Sequence, residues 1–144
     1  MQKKKTIDEI AEEGNALCDQ GKYEEAIEVY KQGFALLPEP LNAQSEAAWF
    51  QISIGDTYFL MKQFDKAYNY LFEAVSNLSG EYVANPFVLM RLGQSAYELN
   101  KDNSREYLLK AYMLEGEDIF EDQDEKYLES IRDIIDGQAG NSEG

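Results

Sequence analysis

Residues 48–79 read AWFQISIGDTYFLMKQFDKAYNYLFEAVSNLS, and the fold turns on this stretch. It holds no proline and few β-branched residues, and its apolar side chains recur at helical spacing, so it predicts two helices. Met61-Lys62-Gln63-Phe64 between the halves is a short turn, which makes the pair an antiparallel hairpin. Ile54, Gly55 and Tyr58 lie on the first half, Ala67 and Ala74 on the second. The small residues among them mark where the two helices approach closely. One hairpin cannot bury its own apolar face, so stacked copies are expected.

Copies stand on both sides. Before the hairpin, Gly14, Leu17, Tyr23, Ala26, Tyr30 and Gly33 repeat the pattern, with Gly14 to Ala26 at 12 residues and Gly14 to Gly33 at 19. Gly55 to Ala67 and Gly55 to Ala74 give the same two intervals. After it come Leu89, Leu92, Gly93, Ser104, Leu108 and Ala111, with Gly93 to Ala111 at 18, one residue short in the turn.

The pattern resembles the tetratricopeptide repeat family, whose unit is about 34 residues of helix, turn and helix. Gly14, Leu17, Ala26, Tyr30 and Pro38 stand at the family's spacing in the first copy, and Ile54, Gly55, Tyr58, Ala67 and Leu71 in the second. The resemblance covers residues 7 to about 115. The glycines Gly14, Gly55 and Gly93 are 41 and 38 residues apart, so inserted residues lengthen the connections. The tryptophan typical of the fourth position is replaced by Ile10, Gln51 and Leu89. The implied fold is all-α: a right-handed superhelix of three hairpins (about 7–40, 48–79 and 86–115) plus a capping helix at about 124–136, seven helices in one domain over 1–136, with 137–144 a flexible tail.

Local chemistry places the ends. The start of the chain, residues 1 to 5, reads as a frayed basic end. Thr6 with Glu9 is a capping box that starts the first helix at Ile7, to run to about Asp19. Gly21 permits the left-handed residue of a tight turn. The second helix, Tyr23 to about Leu36, stops before Pro38-Glu39-Pro40. Asn42 is placed to cap a long third helix, about Ala43 to Met61, and the fourth spans Phe64 to Asn77, ending before Ser79-Gly80. Asn85-Pro86 is a cap followed by proline at the first helical position, opening a fifth helix to about Leu99. Asn103 with Glu106 opens a sixth, Ser104 to Glu115, closed by Gly116. Asp122 with Glu125 is placed to cap a seventh, with Tyr127, Leu128, Ile131, Ile134 and Ile135 on one stripe. Such a helix covers the last apolar face of a repeat stack.

Composition narrows function. At 144 residues, 44% apolar and 28% charged, the chain is ordinary for a soluble domain. Lys plus Arg number 13 against 28 Asp plus Glu, a net charge of −15 that repels phosphate backbones and anionic membranes and favours a basic partner. No run reaches membrane-span length, and the basic start lacks the apolar stretch of an export signal, so a cytoplasmic protein is expected and the Asn77-Leu78-Ser79 acceptor tripeptide carries no weight. Cys18 is the single cysteine, which excludes an intrachain disulfide. There is no histidine, which removes the commonest general base, the usual metal ligand and the Ser-His and Cys-His nucleophile pairs. No glycine-rich phosphate loop is present. In Asp122, Asp124, Glu125 a calcium loop is denied by Lys126 at a ligand position and by the missing glycine. Glu12-Glu13 and Glu24-Glu25 are adjacent on helices and do not face each other. An enzyme, a cofactor and a metal site are therefore not expected.

The family resemblance implies a groove lined by the first helix of each hairpin, at the second, fifth, ninth and twelfth repeat positions. These are Asp8, Ala11, Asn15 and Cys18; then Trp49, Ile52, Asp56 and Phe59; then Phe87, Met90, Gln94 and Tyr97, with Arg91 on the flank. Aromatic and long apolar side chains in this set suit an anchor, and Asp8 and Asp56 suit basic flanks. The alternative is that these side chains are core, or that the chain's own C-terminal segment fills the groove. Family members that bind heat-shock-protein tails hold carboxylates with five polar positions, here Ala11, Asn15, Ser53, Phe87 and Arg91. One cation among them cannot hold two carboxylates against this net charge, so such a tail is not an expected ligand. The expected function is a non-catalytic protein- or peptide-binding adaptor or scaffold. A secretion chaperone, a toxin-neutralising immunity protein and a self-associating assembly protein stay open, as does the oligomeric state.

Overall fold

The computed structural model describes the backbone of residues 5–41, 45–78 and 85–143, and side chains within these except 77–78 and 138–143. The basic start at 1–4, the Asn42 cap and the Ser79-Gly80 stop lie outside the described residues. Among those described, the chain is helical throughout, in the order α1 (Ile7–Asp19), α2 (Tyr23–Ala35), α3 (Ser45–Leu60), α4 (Phe64–Glu73), α5 (Pro86–Glu98), α6 (Ser104–Glu115), α7 (Glu125–Glu129) and α8 (Arg132–Glu143). A π-helical turn, Ala74–Leu78, extends α4, and a 3₁₀ turn, Gly116–Phe120, follows α6.

The first cap forms as read. The Thr6 hydroxyl accepts from the Glu9 backbone N–H at 3.1 Å, and the Glu9 carboxylate accepts from the Thr6 N–H at 3.3 Å. The Asn85 side chain accepts from Val88 N–H at 3.2 Å ahead of Pro86. Asn103 does not act as a side-chain cap: its φ of −83° and ψ of 1° lie in the bridge region, whereas a capping residue needs an extended backbone. Asp124, not Asp122, starts α7, accepting from Lys126 N–H at 3.0 Å. The single capping helix read at 124–136 is two helices, α7 and α8, broken at Ser130-Ile131, where the Ser130 hydroxyl donates to the Tyr127 carbonyl at 2.6 Å.

The hairpin turns are three copies of one device. Lys22 N–H reaches back to the Leu17 carbonyl, Gln63 N–H to Tyr58 and Lys101 N–H to Ala96, each at 2.9 Å. Each encloses a left-handed residue: Gly21 at φ 75°, Lys62 at 61° and Asn100 at 57°. This is the Schellman ending, in which one left-handed residue lets the chain reverse while the last carbonyls stay satisfied.

By contact density the chain forms two compact units, residues 1–83 and 84–144. In the first, α1 to α4 bury Ala26, Ile27, Tyr30, Phe50, Ile54, Tyr58 and Ala67. In the second, α5 and α6 bury Leu92, Ala96, Leu108 and Ala111, with Phe120, Tyr127 and Ile131 from the C-terminal elements also buried. The small residues sit where the helices cross. A Cβ on Gly14 would strike the Tyr30 ring, one on Gly55 would lie 2.8 Å from Leu71 Cγ, and one on Gly93 would lie 2.9 Å from the Leu108 backbone nitrogen. Each hairpin can close only because these positions lack a side chain.

Candidate functional site

In the first unit, Tyr30 gathers the residues expected to face a partner. It lies opposite Gly14, where the other hairpins carry Leu71 and Leu108, so its hydroxyl is brought into the core and must find a partner. It donates to Asn15 Oδ1 at 2.6 Å and lies 3.8 Å from Cys18 Sγ. Cys18 Sγ is 3.2 Å from Thr57 Oγ1. The Thr57 hydroxyl already donates to the Ser53 carbonyl at 2.7 Å, so the thiol is the donor between them. Burial raises the Tyr30 phenol well above its ordinary value, with the bond to Cys18 and the charges of Asp56 and Asp19 adding to it.

Trp49 leans edge-on against Tyr30 and Phe50, with ring centroids 5.8 and 5.2 Å away and planes at 80° and 81°. It is half-buried, as are Cys18, Asp56 and Phe59. The structure thus brings Asn15, Cys18, Trp49 and Asp56 around Tyr30. Phe59 packs edge-on against Phe64 at 5.4 Å, at the α3–α4 turn. Asp8 is exposed and Ala11 half-buried on α1, whereas Ile52 is buried, as its apolar side chain favours. The sequence reading took Tyr30 as a packing position of the repeat, not as part of the site, and did not single out Thr57. For Tyr30 the available signal was a hydroxyl-bearing residue at a position the other hairpins fill with leucine.

In the second unit, Phe87 is exposed at 38%, while Met90, Arg91 and Gln94 are buried, at 1%, 7% and 0%. The Arg91 guanidinium lies 5.0 Å from the Phe87 ring centre. It donates to Gln94 Oε1 at 2.9 Å and to Gln123 Oε1 at 3.2 Å, and Gln94 Nε2 donates to the same Gln123 oxygen at 2.9 Å. Tyr97 meets Tyr127 edge-on at 5.4 Å, and the Tyr127 hydroxyl donates to Glu98 at 2.9 Å. Lys126 pairs with the same Glu98 carboxylate at 2.5 Å. Burial, with the Glu98 bond and charge, raises the Tyr127 phenol as at Tyr30. The α5 residues are therefore held by the chain's own C-terminal segment, through Tyr127, which the sequence reading put on the stripe of the capping helix, and Gln123, which it did not single out. Farther along that segment, Glu117, Glu121, Glu125 and Glu129 line a cleft of about 490 Å³, in which Arg132 pairs with Glu117 at 2.9 Å.

Residues 14–50 match the family model described as TPR repeat. Among solved structures, 22 chains match. One is the first TPR of Spaghetti (RPAP3) bound to the HSP90 peptide SRMEEVD, at a TM-score of 0.66 and 22% identity over 92% of this chain and 93% of that one. The chain has the helical-repeat fold of a tetratricopeptide-repeat domain. No curated protein matches its sequence. The family match spans the end of α1, all of α2 and the start of α3, the elements that supply Asn15, Cys18, Tyr30 and Trp49. Among the described residues, no group of three histidine, cysteine or carboxylate side chains is placed to hold a metal ion, and no helix is long and apolar enough to cross a membrane.

Proposed function

We propose that this repeat protein is a non-catalytic module that binds a protein or peptide through the α1–α3 face of its first unit. The observation that carries the reading is Trp49, only partly buried yet fixed edge-on against Tyr30 and Phe50. A rigid aromatic at a surface loses little freedom on contact, which is why such side chains dominate interface energetics. Asp56, about two turns along α3 from Trp49, Asp8 on α1 and the net charge of −15 favour a partner with an apolar anchor and basic flanks. The similar RPAP3 repeat domain is bound to a peptide, which supports a polypeptide as the ligand class. That peptide is acidic, and the present chain has the opposite preference: Asn15 is engaged by Tyr30 and Arg91 by Gln94 and Gln123. The absence of histidine removes the commonest general base and supports a binding role over a catalytic one. We place the protein in the cytoplasm, where the unpaired Cys18 stays reduced.

A random peptide library panned against the intact chain tests this reading. Enriched peptides should carry an apolar residue flanked by Lys or Arg and should change Trp49 fluorescence on binding. They should bind Trp49→Ala roughly thirtyfold more weakly, as loss of an anchor of about 2 kcal/mol requires. Peptides that bind Trp49→Ala as tightly as the native chain would refute it.

A further inference from the structure

The face of α5 is already occupied, and the occupant is part of the same chain. We infer that the segment Gly116–Glu129 is a self-docked strap that closes over α5 and has to move aside before a partner can reach Arg91 and Gln94. The strap consists of a five-residue 3₁₀ turn and the five-residue α7. Neither is long enough to persist alone, so both are held in place by docking. Phe120 and Tyr127, each 5% exposed, are its apolar anchors. Its grip on α5 is otherwise polar.

The central contact has the chemistry of an exchangeable one. Gln123 offers a neutral amide oxygen to two donors, the Arg91 guanidinium and the Gln94 carboxamide, at 3.2 and 2.9 Å. A peptide main-chain carbonyl is the same kind of acceptor. An incoming polypeptide can therefore take over both bonds without leaving a buried donor bare, the outcome that would otherwise make opening costly. Both ends of the strap are suited to bending. Gly116 has φ 73° with open space around it, and Ser130-Ile131 breaks the helix at the other end. Beyond that break, α8 stays tied to α6, because Arg105 donates to both Asp133 oxygens at 2.7 and 2.6 Å and to the Ser130 carbonyl at 3.1 Å. Opening is thus a loop swinging between two fixed points, and a ligand's apparent affinity for α5 is reduced by the fraction of time the strap is open.

This inference concerns α5 and needs no partner, so it stands or falls independently of the α1–α3 reading. Native-state hydrogen exchange on the free, intact chain tests it. Amides within 117–129 should exchange through an opening that leaves those of Leu92 and Leu108 protected. Gln123→Ala should speed exchange across 117–129 about tenfold and leave Leu92 and Leu108 unchanged. Tyr127→Phe, which keeps the ring and removes only the bond to Glu98, should act in the same direction at about threefold. The strap is refuted if 117–129 exchanges in step with Leu92 and Leu108 in the native chain, or if Gln123→Ala unfolds the unit. It is equally refuted if both variants leave exchange across 117–129 unchanged.

Discussion

Two faces built on equivalent repeat positions have met different fates. On α1 and α3, Asn15, Cys18, Trp49 and Asp56 cluster around a tyrosine from the adjacent helix, with Asn15 exposed and the other three only partly buried. On α5, Arg91 and Gln94 are buried beneath a glutamine delivered from the C-terminal segment. The difference teaches that a repeat position fixes where a side chain points but not what it meets. The neighbour in the fold decides that, and in one case it is a core tyrosine, in the other a returning loop.

The harshest probe of both faces is the glycine beneath each. Gly93→Ala brings a methyl to 2.9 Å from the Leu108 backbone nitrogen, which cannot rotate away. Overpacking of this kind costs about 1–3 kcal/mol, partly offset by alanine's better helix propensity of about 1 kcal/mol. Gly14→Ala meets the Tyr30 ring instead, so it should cost a similar amount and also displace the ring that Trp49 leans on. Urea denaturation should show destabilisation in both, with a native-state tryptophan fluorescence change in Gly14→Ala alone. A fluorescence change in Gly93→Ala would break the distinction.

Next in size are the two buried phenols. Tyr30→Phe should cost about 1 kcal/mol through the lost bond to Asn15, and Tyr127→Phe about the same through the bond to Glu98. Both phenols are raised above their ordinary value of 10.0. A raised pKa contributes stability that is complete below the ordinary value and is lost as pH rises towards the folded one. Stability should therefore fall steeply above about pH 10, and each Phe variant should flatten that fall. Chemical denaturation from pH 8 to 11 measures it.

Smaller still is the turn chemistry. Lys62 holds a left-handed backbone at φ 61° where the equivalent turn of the first hairpin has Gly21. Lys62→Gly should stabilise the protein by about 0.5–1 kcal/mol, since the left-handed strain of roughly 1–2 kcal/mol disappears while the unfolded chain gains freedom. The same change at Asn100 should gain less, because asparagine tolerates this conformation better than lysine. Thermal melts of the two variants give the order.

How legible each part was follows from the range of its chemistry. The Thr6–Glu9 box and the Asn85-Pro86 cap are local, and were readable as written. The crossing glycines were readable because the interval repeats. The Asn103 cap failed because a backbone angle overrode a favourable residue pair. Trp49, Asn15, Cys18 and Asp56 were named because the family resemblance assigns the second, ninth and twelfth repeat positions to a groove. Tyr30's role depended on the helix it packs against. Gln123 meets Arg91 across 32 residues of chain and Gln94 across 29, and no local pattern encodes that return.

The smallest expected effect lies at the strap's fixed end, where α8 is tied to α6. Asp133 is highly exposed, and the hydrogen bond from Arg105, reinforced by its charge, holds the Asp133 carboxyl below its ordinary value. A lowered carboxyl pKa contributes stability that is present above the ordinary value and is lost as pH falls through the folded one. The native chain and Asp133→Asn should therefore differ slightly at neutral pH and converge below about pH 4. The neutral-pH difference should also shrink as salt is added, because an exposed pair is screened. If the difference widened on acidification, the Arg105 tie would not be what anchors α8. The strap would then be free at its far end, and exchange protection in α8 should rise and fall with that of 117–129.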